Sequence, residues 1–232
     1  MKLYKLKKDN KFYGLIPAKG TSQQIKKKNL LKIKGETLVS IAIKNAKKSK
    51  YLDSIFISSE NQKILNIGKK LNINFIKRPK KFSKGHIEPK YLVFDFIKKN
   101  KNIKLNDFIV YLQPTSPCRN YKHIDEAIQT ILRSKSNSLT SIVAIDNKIL
   151  KSLMVKNNKI KTLFEKGNIS KSRQVLPKVY LPNGSIYIFK VSEFLKRKNF
   201  PINNSIQYLM SKKDSLDIDS LEDFKKALKN FN

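Results

Sequence analysis

The chain of 232 residues is short of cysteine, acidic side chains and long apolar runs. Cys118 is the single cysteine, so no disulfide can form within the chain, and we expect a reducing, cytoplasmic location. There is no run of about 18 apolar residues and no signal-peptide-like start, so we expect no membrane span and no export. With 40% hydrophobic residues, the chain can still bury the core of one globular domain.

Acidic residues number 17 against 50 lysines and arginines, which gives a formal net charge of +33. Such an excess is typical of proteins that bind nucleic acid or an anionic surface. However, only 5 of these residues are arginine, the side chain that nucleic-acid sites use for bidentate contacts, and the lysines are spread over the whole chain. Lys, Asn and Ile are abundant together, which favours an AT-rich coding sequence as the cause. A preference for anionic substrates is the next alternative, and we expect no nucleic-acid partner.

Strand and helix patterns alternate along the chain, which predicts an α/β fold. The predicted strands are residues 12–18, 54–58, 74–76, 108–112, 139–145, 185–189 and 216–218. The predicted helices are residues 36–49, 59–71, 89–99, 125–134 and 221–231. Residues 146–180 are polar and poorly periodic, and we expect them to form short strands in an arm.

The loop 19–29 follows the first predicted strand, and therefore lies at the carboxyl edge of the sheet, where open α/β folds bind ligands. Gly20 allows the backbone to turn. Hydroxyl and ammonium groups suited to a triphosphate come from Thr21, Ser22, Lys19 and Lys28. The loop is not a P-loop, because the Gly-Lys-Ser/Thr ending is absent. The alternative is a solvated lysine loop that binds nothing.

Two further polar segments adjoin predicted strands. Residues 113–117 (Gln-Pro-Thr-Ser-Pro) form a rigid turn in which the Gln113 amide and the Ser116 hydroxyl could contact a base or a sugar. Residues 182–184 (Pro-Asn-Gly) offer the Asn183 amide as donor and acceptor. The alternative for the first segment is a turn that caps the next helix, and for the second a plain hairpin turn.

The segment 214–220 contains alternating aspartates. On a strand, Asp217 and Asp219 would share one face while Ile218 faces the core. Two carboxylates on one face suit a magnesium ion held together with substrate phosphates. The alternative is that Asp219 or Ser220 caps the last helix.

Taken in order, these segments resemble the acylneuraminate (nonulosonate) cytidylyltransferases, the CMP-sialic acid synthetases, over nearly the whole chain. The family opens with Ile-Pro-Ala-Arg-Gly-Gly-Ser-Lys-Gly and a later Lys-Asn, which match residues 16–24 and 28–29. Its Gln-Pro-Thr-Ser-Pro segment is identical to 113–117. Its remaining motifs correspond to Arg119, Arg173-Gln174, 182–184, Asp217 and Asp219. CMP-Kdo synthetases share the fold but lack two of these segments.

The resemblance implies a Rossmann-like nucleotide-diphospho-sugar transferase fold, with a mostly parallel sheet flanked by helices. Residues 1–232 would form a single cytidylyltransferase domain with an inserted dimerisation arm at about 147–178. It also implies CTP and an acidic nine-carbon sugar as substrates, Mg²⁺ as cofactor, and a cytoplasmic homodimer with no nucleic-acid or membrane partner.

The resemblance also assigns roles to residues. The implied nucleotide-binding residues are Ala18, Lys19, Gly20, Ser22, Lys28 and Asn29. The implied substrate-binding residues are Gln113, Ser116, Arg173 and Asn183. The implied catalytic residues are Lys28, Asp217 and Asp219, and the two aspartates are also the implied metal ligands.

Five positions depart from the family pattern: Lys19 and Leu181 replace arginines, Thr21 and Gln24 replace glycines, and Gln23 replaces a lysine. Lys19 keeps the positive charge but lacks the bidentate fork of arginine. Alternatives are therefore a same-fold enzyme for Kdo, another sugar acid or another nucleotide, and a weakly catalytic relative that binds nucleotide.

Overall fold

The computed structural model describes residues 10–22, 24–83 and 87–231. Within these ranges the strands are β1 (Phe12–Pro17), β2 (Lys32–Ile33), β3 (Glu36–Thr37), β4 (Ser54–Ser59), β5 (Asn74–Lys77), β6 (Phe108–Leu112), β7 (Ser138–Ile145), β8 (Leu153–Lys156), β9 (Lys159–Thr162), β10 (Val179–Lys190) and β11 (Ile206–Met210). The helices are α1 (Leu38–Lys48), α2 (Gln62–Lys70), α3 (Lys90–Lys99), α4 (Tyr121–Ser134), α5 (Val191–Arg197) and α6 (Leu221–Asn230). Short 3-10 turns occur at Lys28–Leu30, Lys80–Ser83, Asn147–Lys151, Lys166–Asn168 and Arg173–Val175.

Seven strands form one sheet in the order β11-β7-β10-β6-β1-β4-β5. All of them run in the same direction except β10, which is antiparallel to both of its neighbours. This confirms the predicted mostly parallel α/β sheet. Because β1 lies between β4 and β6, the segments that leave the carboxyl ends of these three strands meet at one edge.

Helices cover both faces of the sheet, because alternate residues of the central strands are apolar on both sides. Along β1, Phe12 and Ile16 pack in a cluster with α1, α2 and α4, while Tyr13 and Leu15 pack in a second cluster with α3 and α5. Helix α6 packs in a third cluster that includes Ile218. None of the helices in the described ranges has the length and apolar content needed to cross a bilayer.

Side-chain caps set the first residues of two helices differently from the prediction. Asn61 caps α2 by accepting hydrogen bonds from Lys63 N and Ile64 N, so this helix begins at Gln62 and not at residue 59. Helix α4 begins earlier than predicted, because Asn120 and His123 form a capping box at its first turn.

The last strand of the sheet was predicted at the wrong place. The structure has β11 at Ile206–Met210, and residues 216–218 belong to no strand. Ile218 N donates instead a hydrogen bond of 2.9 Å to Thr115 O. Ile218 is fully buried, as predicted, although it belongs to no strand.

The Asn-Gly pair is not a hairpin turn. It lies inside β10, where the register with β7 shifts between Pro182 and Tyr187. Gly184 has a φ of 72°, so this irregularity requires a residue that tolerates the left-handed region. Helix α5, which follows β10, was not predicted, because it is short and begins without a side-chain cap.

Candidate functional site

A cavity of about 260 Å³ lies where the segments following β1 and β6 meet the segment before α6. Six of the predicted site residues line it, namely Lys19, Ser22, Lys28, Asn29, Gln113 and Asp219. The rest of the wall is largely apolar and is made by Pro17, Phe82, Ile87, Pro89, Leu92, Tyr111 and Pro114, with Arg78 and Thr115 adding polar groups. One side of the cavity therefore suits charged groups and the other a flat ring.

The loop after β1 is held by backbone contacts. Ala18 N donates to Ser58 O at 3.0 Å, and Asn29 Nδ2 donates to Lys19 O at 2.8 Å. The Ala18 side chain is buried in the core, so only the backbone of this residue could meet a nucleotide. Asn29 is buried as well, and its amide closes the loop on itself, which brings Lys19 and Lys28 to the same cavity.

Gly20 is required for a reason other than the predicted turn. A Cβ atom at this position would lie 2.4 Å from Asn61 Nδ2 and 2.6 Å from Asn61 Cβ, so any side chain would displace Asn61. Gly20 N also donates a hydrogen bond of 2.7 Å to Glu60 Oε1. Close approach to the start of α2 is therefore what excludes other residues here. Gln23, one of the departures from the family pattern, lies outside the described residues.

Lys28 and Asp219 form an ion pair of 2.8 Å between Nζ and Oδ1. The Lys28 side chain is mostly buried, whereas the Asp219 side chain is 64% exposed. The hydrogen bond from Ile218 N to Thr115 O fixes the terminal segment against the 113–117 turn and places this carboxylate at the cavity. The ammonium and the carboxylate of two predicted site residues thus neutralise each other.

Asp217 lies deeper than Asp219. Burial raises the pKa of the Asp217 carboxyl, and the neighbouring Asp219 adds to this, while the hydrogen bond with Thr115 and the Lys28 ammonium lower it. Asp217 Oδ1 is buried and has no hydrogen-bond partner among the described residues. Asp217 Oδ2 would lie 3.1 Å from a Cβ at Gly184, so glycine leaves room for this carboxylate.

These carboxylates fit a magnesium ion, because an anionic oxygen without a partner is the kind of ligand that Mg²⁺ takes. Within the described ranges, no group of three or more His, Cys, Asp or Glu side chains converges on a point for a metal. A magnesium ion bound together with nucleotide phosphates takes only one or two carboxylates from the protein. Asp217 and Asp219 therefore supply a donor set of that kind.

The helix cap belongs to Ser220 and not to Asp219. Ser220 Oγ accepts from Asp223 N at 3.1 Å, and Asp223 Oδ2 accepts from Ser220 N at 2.9 Å, which is a complete capping box. The Asp219 side chain pairs with Lys28 instead. The cap and the carboxylate pair coexist on adjacent residues.

Arg119 ties the 113–117 turn to β10. It is 1% exposed, and its Nη1 donates to Gln113 O at 2.9 Å and to Ser185 O at 2.7 Å. Burial lowers its pKa to about 10, against the opposing effect of the Asp217 charge. The Ser116 hydroxyl, predicted to face the substrate, is buried beside this tie without a partner among the described residues, and Ser116 does not line the cavity.

The Asn183 amide is bound by protein groups in this structure. Its Oδ1 accepts from Ser141 Oγ and from Ser185 N, and its Nδ2 donates to Ser215 Oγ at 2.8 Å and to Met210 Sδ. The residue is 6% exposed. This network connects β7, β10 and the terminal segment, and Asn183 does not line the cavity. Its contact with substrate stays a prediction.

Arg173 does not line the cavity. It lies in the arm, where its guanidinium is exposed and pairs with Asp146 at 2.9 Å. Its contact with substrate also stays a prediction.

Among the cavity residues that the sequence did not indicate are Arg78 and Tyr111. Arg78 is buried and follows β5, and as one of 5 arginines it could have been singled out. Tyr111 is buried on β6, where burial raises the pKa of its hydroxyl, and a strand tyrosine gives no indication of a site.

Residues 13–230 match the sequence profile of the cytidylyltransferases. The chain is 27% identical over 219 residues to the N-acylneuraminate cytidylyltransferase of Escherichia coli O18:K1:H7, covering 94% of this chain and 51% of that protein. It is 24% identical to the pseudaminic acid cytidylyltransferase of Campylobacter jejuni serotype O:2, covering 92% and 93%. It is 31% identical to the 3-deoxy-manno-octulosonate cytidylyltransferase of Fusobacterium nucleatum, covering 78% and 70%. The chain thus spans about half the length of the E. coli relative.

A solved structure shares the fold. The structure of CMP:2-keto-3-deoxy-manno-octonic acid synthetase in complex with CTP superposes with a TM-score of 0.68 at 13% identity, covering 95% of this chain and 98% of that one.

Proposed function

Because the chain belongs to the cytidylyltransferase family, we propose that it transfers CMP from CTP to the anomeric hydroxyl of a nonulosonic, sialic-type acid and releases pyrophosphate. The observation that carries this proposal is the cavity, which brings the cations of the 19–29 loop together with the Asp219 carboxylate. The names of the E. coli and C. jejuni relatives support a nine-carbon acid.

The proposed step is one displacement at phosphorus. The anomeric oxygen attacks the α-phosphorus of CTP, the bond to the pyrophosphate oxygen breaks, and the proton of the hydroxyl passes to solvent. The protein contributes position and charge. Lys19, Ser22 and Lys28 hold the triphosphate, which requires Lys28 to leave Asp219.

Asp217 and Asp219 would hold a magnesium ion, which would neutralise negative charge on the phosphate oxygens. The buried, unpartnered Oδ1 of Asp217 and the place of Asp219 in the cavity lining are the observations that support these ligands. Asn29 and Gly20 fix the loop, and their contact with the nucleotide stays a prediction.

The sugar acid lies beside the 113–117 turn in this proposal. Gln113 lines the cavity, and Arg119 holds its carbonyl in place. The buried hydroxyl of Ser116 and the amide of Asn183 shape this side from behind.

A second candidate is transfer of CMP to Kdo, an eight-carbon acid. The F. nucleatum relative, named for that substrate, is 31% identical over 183 residues, a higher identity than the E. coli relative has.

A cytoplasmic homodimer is also proposed. Apolar side chains are exposed on the arm, for example Val155 at 73% and Ile160 at 68%, and such side chains are typical of an interface. A two-fold arrangement of the arms would bury them in a self-complementary contact.

The test is pyrophosphate release with CTP, UTP, ATP and GTP, each with a panel of nonulosonic acids and Kdo, and the product identified by mass spectrometry. We expect release with CTP and a nonulosonic acid, giving a CMP-sugar. Equal rates with UTP would refute the nucleotide assignment, and release with Kdo alone would favour the second candidate.

A further inference from the structure

Glu60 lies at the end of β4, and its carboxylate contacts two walls of the cavity. One oxygen, Oε1, accepts the hydrogen bond of 2.7 Å from Gly20 N, in the loop after β1. The other oxygen, Oε2, lies 3.1 Å from Arg78 Nε and 3.0 Å from Arg78 Nη2. Each oxygen therefore has a different partner, and the two partners belong to opposite sides of β4.

The Glu60–Arg78 pair is buried, with 11% and 2% of the side chains exposed. A buried ion pair is weak evidence for stability, because desolvation offsets its Coulomb attraction. A carboxylate beside a triphosphate site also repels the ligand, and more so at low dielectric. Neither a gain in stability nor attraction of the ligand accounts for a carboxylate at residue 60. Its role is therefore sought in the two groups that it holds in place, the 19–29 loop and Arg78.

On one side, Glu60 holds the loop. Gly20 N reaches the carboxylate only because residue 20 has no side chain, since a Cβ there would collide with Asn61. Asn61 is itself fixed, because its Oδ1 caps α2. The position of the loop is thereby set by the first turn of α2.

On the other side, Glu60 orients Arg78, which lines the cavity. Arg78 N donates to Ser59 O at 3.0 Å, so the backbone of Arg78 is also joined to the end of β4. The guanidinium is planar, so fixing its Nε and Nη2 edge fixes the direction of the whole group.

We propose that Glu60 is a positioning residue for nucleotide binding, which sets the geometry between the 19–29 loop and Arg78 before the nucleotide enters. This inference rests on the proposed function, because it needs CTP to bind in this cavity. Glu60 touches no substrate in this account. Its loss should weaken CTP binding, because groups that are no longer preorganised must be ordered on binding.

The test compares Glu60→Gln with the wild-type chain. Glutamine keeps the shape and an acceptor for Gly20 N but removes the charge from Arg78. Calorimetry with CTP and magnesium should show a Kd raised by about tenfold or more, as expected for loss of a charge-assisted bond. The KM for CTP should rise in step, while kcat at saturating CTP and the KM for the sugar acid stay within about twofold.

Two further variants sharpen this test. Combined with Arg78→Met, Glu60→Gln should add no further loss of CTP binding, because its effect acts through Arg78. Glu60→Asp keeps the charge but is too short to reach both partners, so it should also weaken CTP binding. Glu36→Gln, which removes a surface ion pair with Lys44, is the matched control and should bind CTP as the wild-type chain does.

Equal or tighter CTP binding by Glu60→Gln and Glu60→Asp would overturn the inference, since the charge would then act only against the ligand. A lower melting temperature with unchanged CTP affinity would overturn it too, because the role would be structural. Failure of the wild-type chain to bind CTP would refute the proposed function, and that result does not involve the variants.

Discussion

Apolar side chains are buried in the sheet but exposed in the arm. In the sheet, every residue of β6 is buried, and both faces of the central strands are covered by helices. In the arm, residues 147–178, the hairpin β8–β9 exposes residues on both strands, with Val155 73% and Ile160 68% accessible.

This difference in burial separates the region that forms the cavity from the region that we propose for assembly. The cavity is built from segments that pack against the core, and hydrogen bonds to the backbone hold these segments in place. The arm packs few of its side chains, which is expected of a surface that another chain completes. Substitutions in the sheet edge should therefore alter chemistry or stability, and substitutions in the arm should alter assembly.

The largest effect should come from the carboxylate pair. Asp217→Asn and Asp219→Asn keep the shape but replace an anionic metal ligand by a neutral amide. We expect turnover with CTP to fall more than about a hundredfold, the equivalent of ~3 kcal/mol, with the melting temperature nearly unchanged. Turnover at saturating magnesium and thermal melting are measured together.

Asp223→Asn is the matched control for that experiment, because Asp223 belongs to the capping box and not to the cavity. It should reduce stability slightly and leave turnover intact. Near-normal turnover of both Asp217→Asn and Asp219→Asn would show that the active site lies elsewhere.

The next effect concerns the arm. Val155 and Ile160 face each other across β8–β9, and replacing both with lysine puts two charges in the proposed interface. We expect the dimer dissociation constant to rise about a hundredfold, from the ~1.5 kcal/mol or more that each buried apolar side chain contributes. Light scattering across a concentration series measures it.

Leu105→Lys, on an exposed residue outside the arm, should leave the oligomeric state unchanged. A wild-type chain that is monomeric and fully active at micromolar concentration would contradict the role of the arm.

A smaller effect is expected at Asn183. Asn183→Ala leaves Ser141 and Ser215 without their buried partner, at a cost of about 1–3 kcal/mol of unfolding free energy. Gln174, on the arm, is exposed and serves as the control. Gln174→Ala should change the unfolding free energy by less than about 0.5 kcal/mol. Urea denaturation compares the two. Unchanged stability of Asn183→Ala with a raised KM for the sugar acid would instead favour direct substrate contact.

The smallest effect is a pH dependence of the unfolding free energy through His123, in helix α4. The arm contains no histidine, so no such dependence is expected from that region. Burial lowers the pKa of His123 below 6.5, with Asp214 and Glu126 opposing the shift. The unfolded chain therefore takes up a proton first as pH falls, so His123 costs no stability well above pH 6.5 and reduces stability as pH falls from 6.5 towards the folded pKa. His123→Gln, which keeps the capping box, should flatten the rise of unfolding free energy with pH. Identical slopes would contradict this.

The sequence predicted the sheet region well because buried strands and amphipathic helices have strong periodicities. It located the loop after β1 and the 113–117 turn, since both follow buried strands directly. It failed where tertiary contacts decide the local structure. Asn183 and Gly184 lie in an irregularity within β10, and the last strand of the sheet is β11 and not residues 216–218. Glu60 was not singled out, because its partners are distant in sequence.

A crystal structure with CTP and magnesium would test whether the cavity is the nucleotide site. We expect the triphosphate in the cavity against Lys28 and Ser22, the Lys28–Asp219 pair separated, and the metal on Asp217 and Asp219. Nucleotide bound elsewhere, or bound in the cavity with the Lys28–Asp219 pair intact and the metal on other residues, would contradict it.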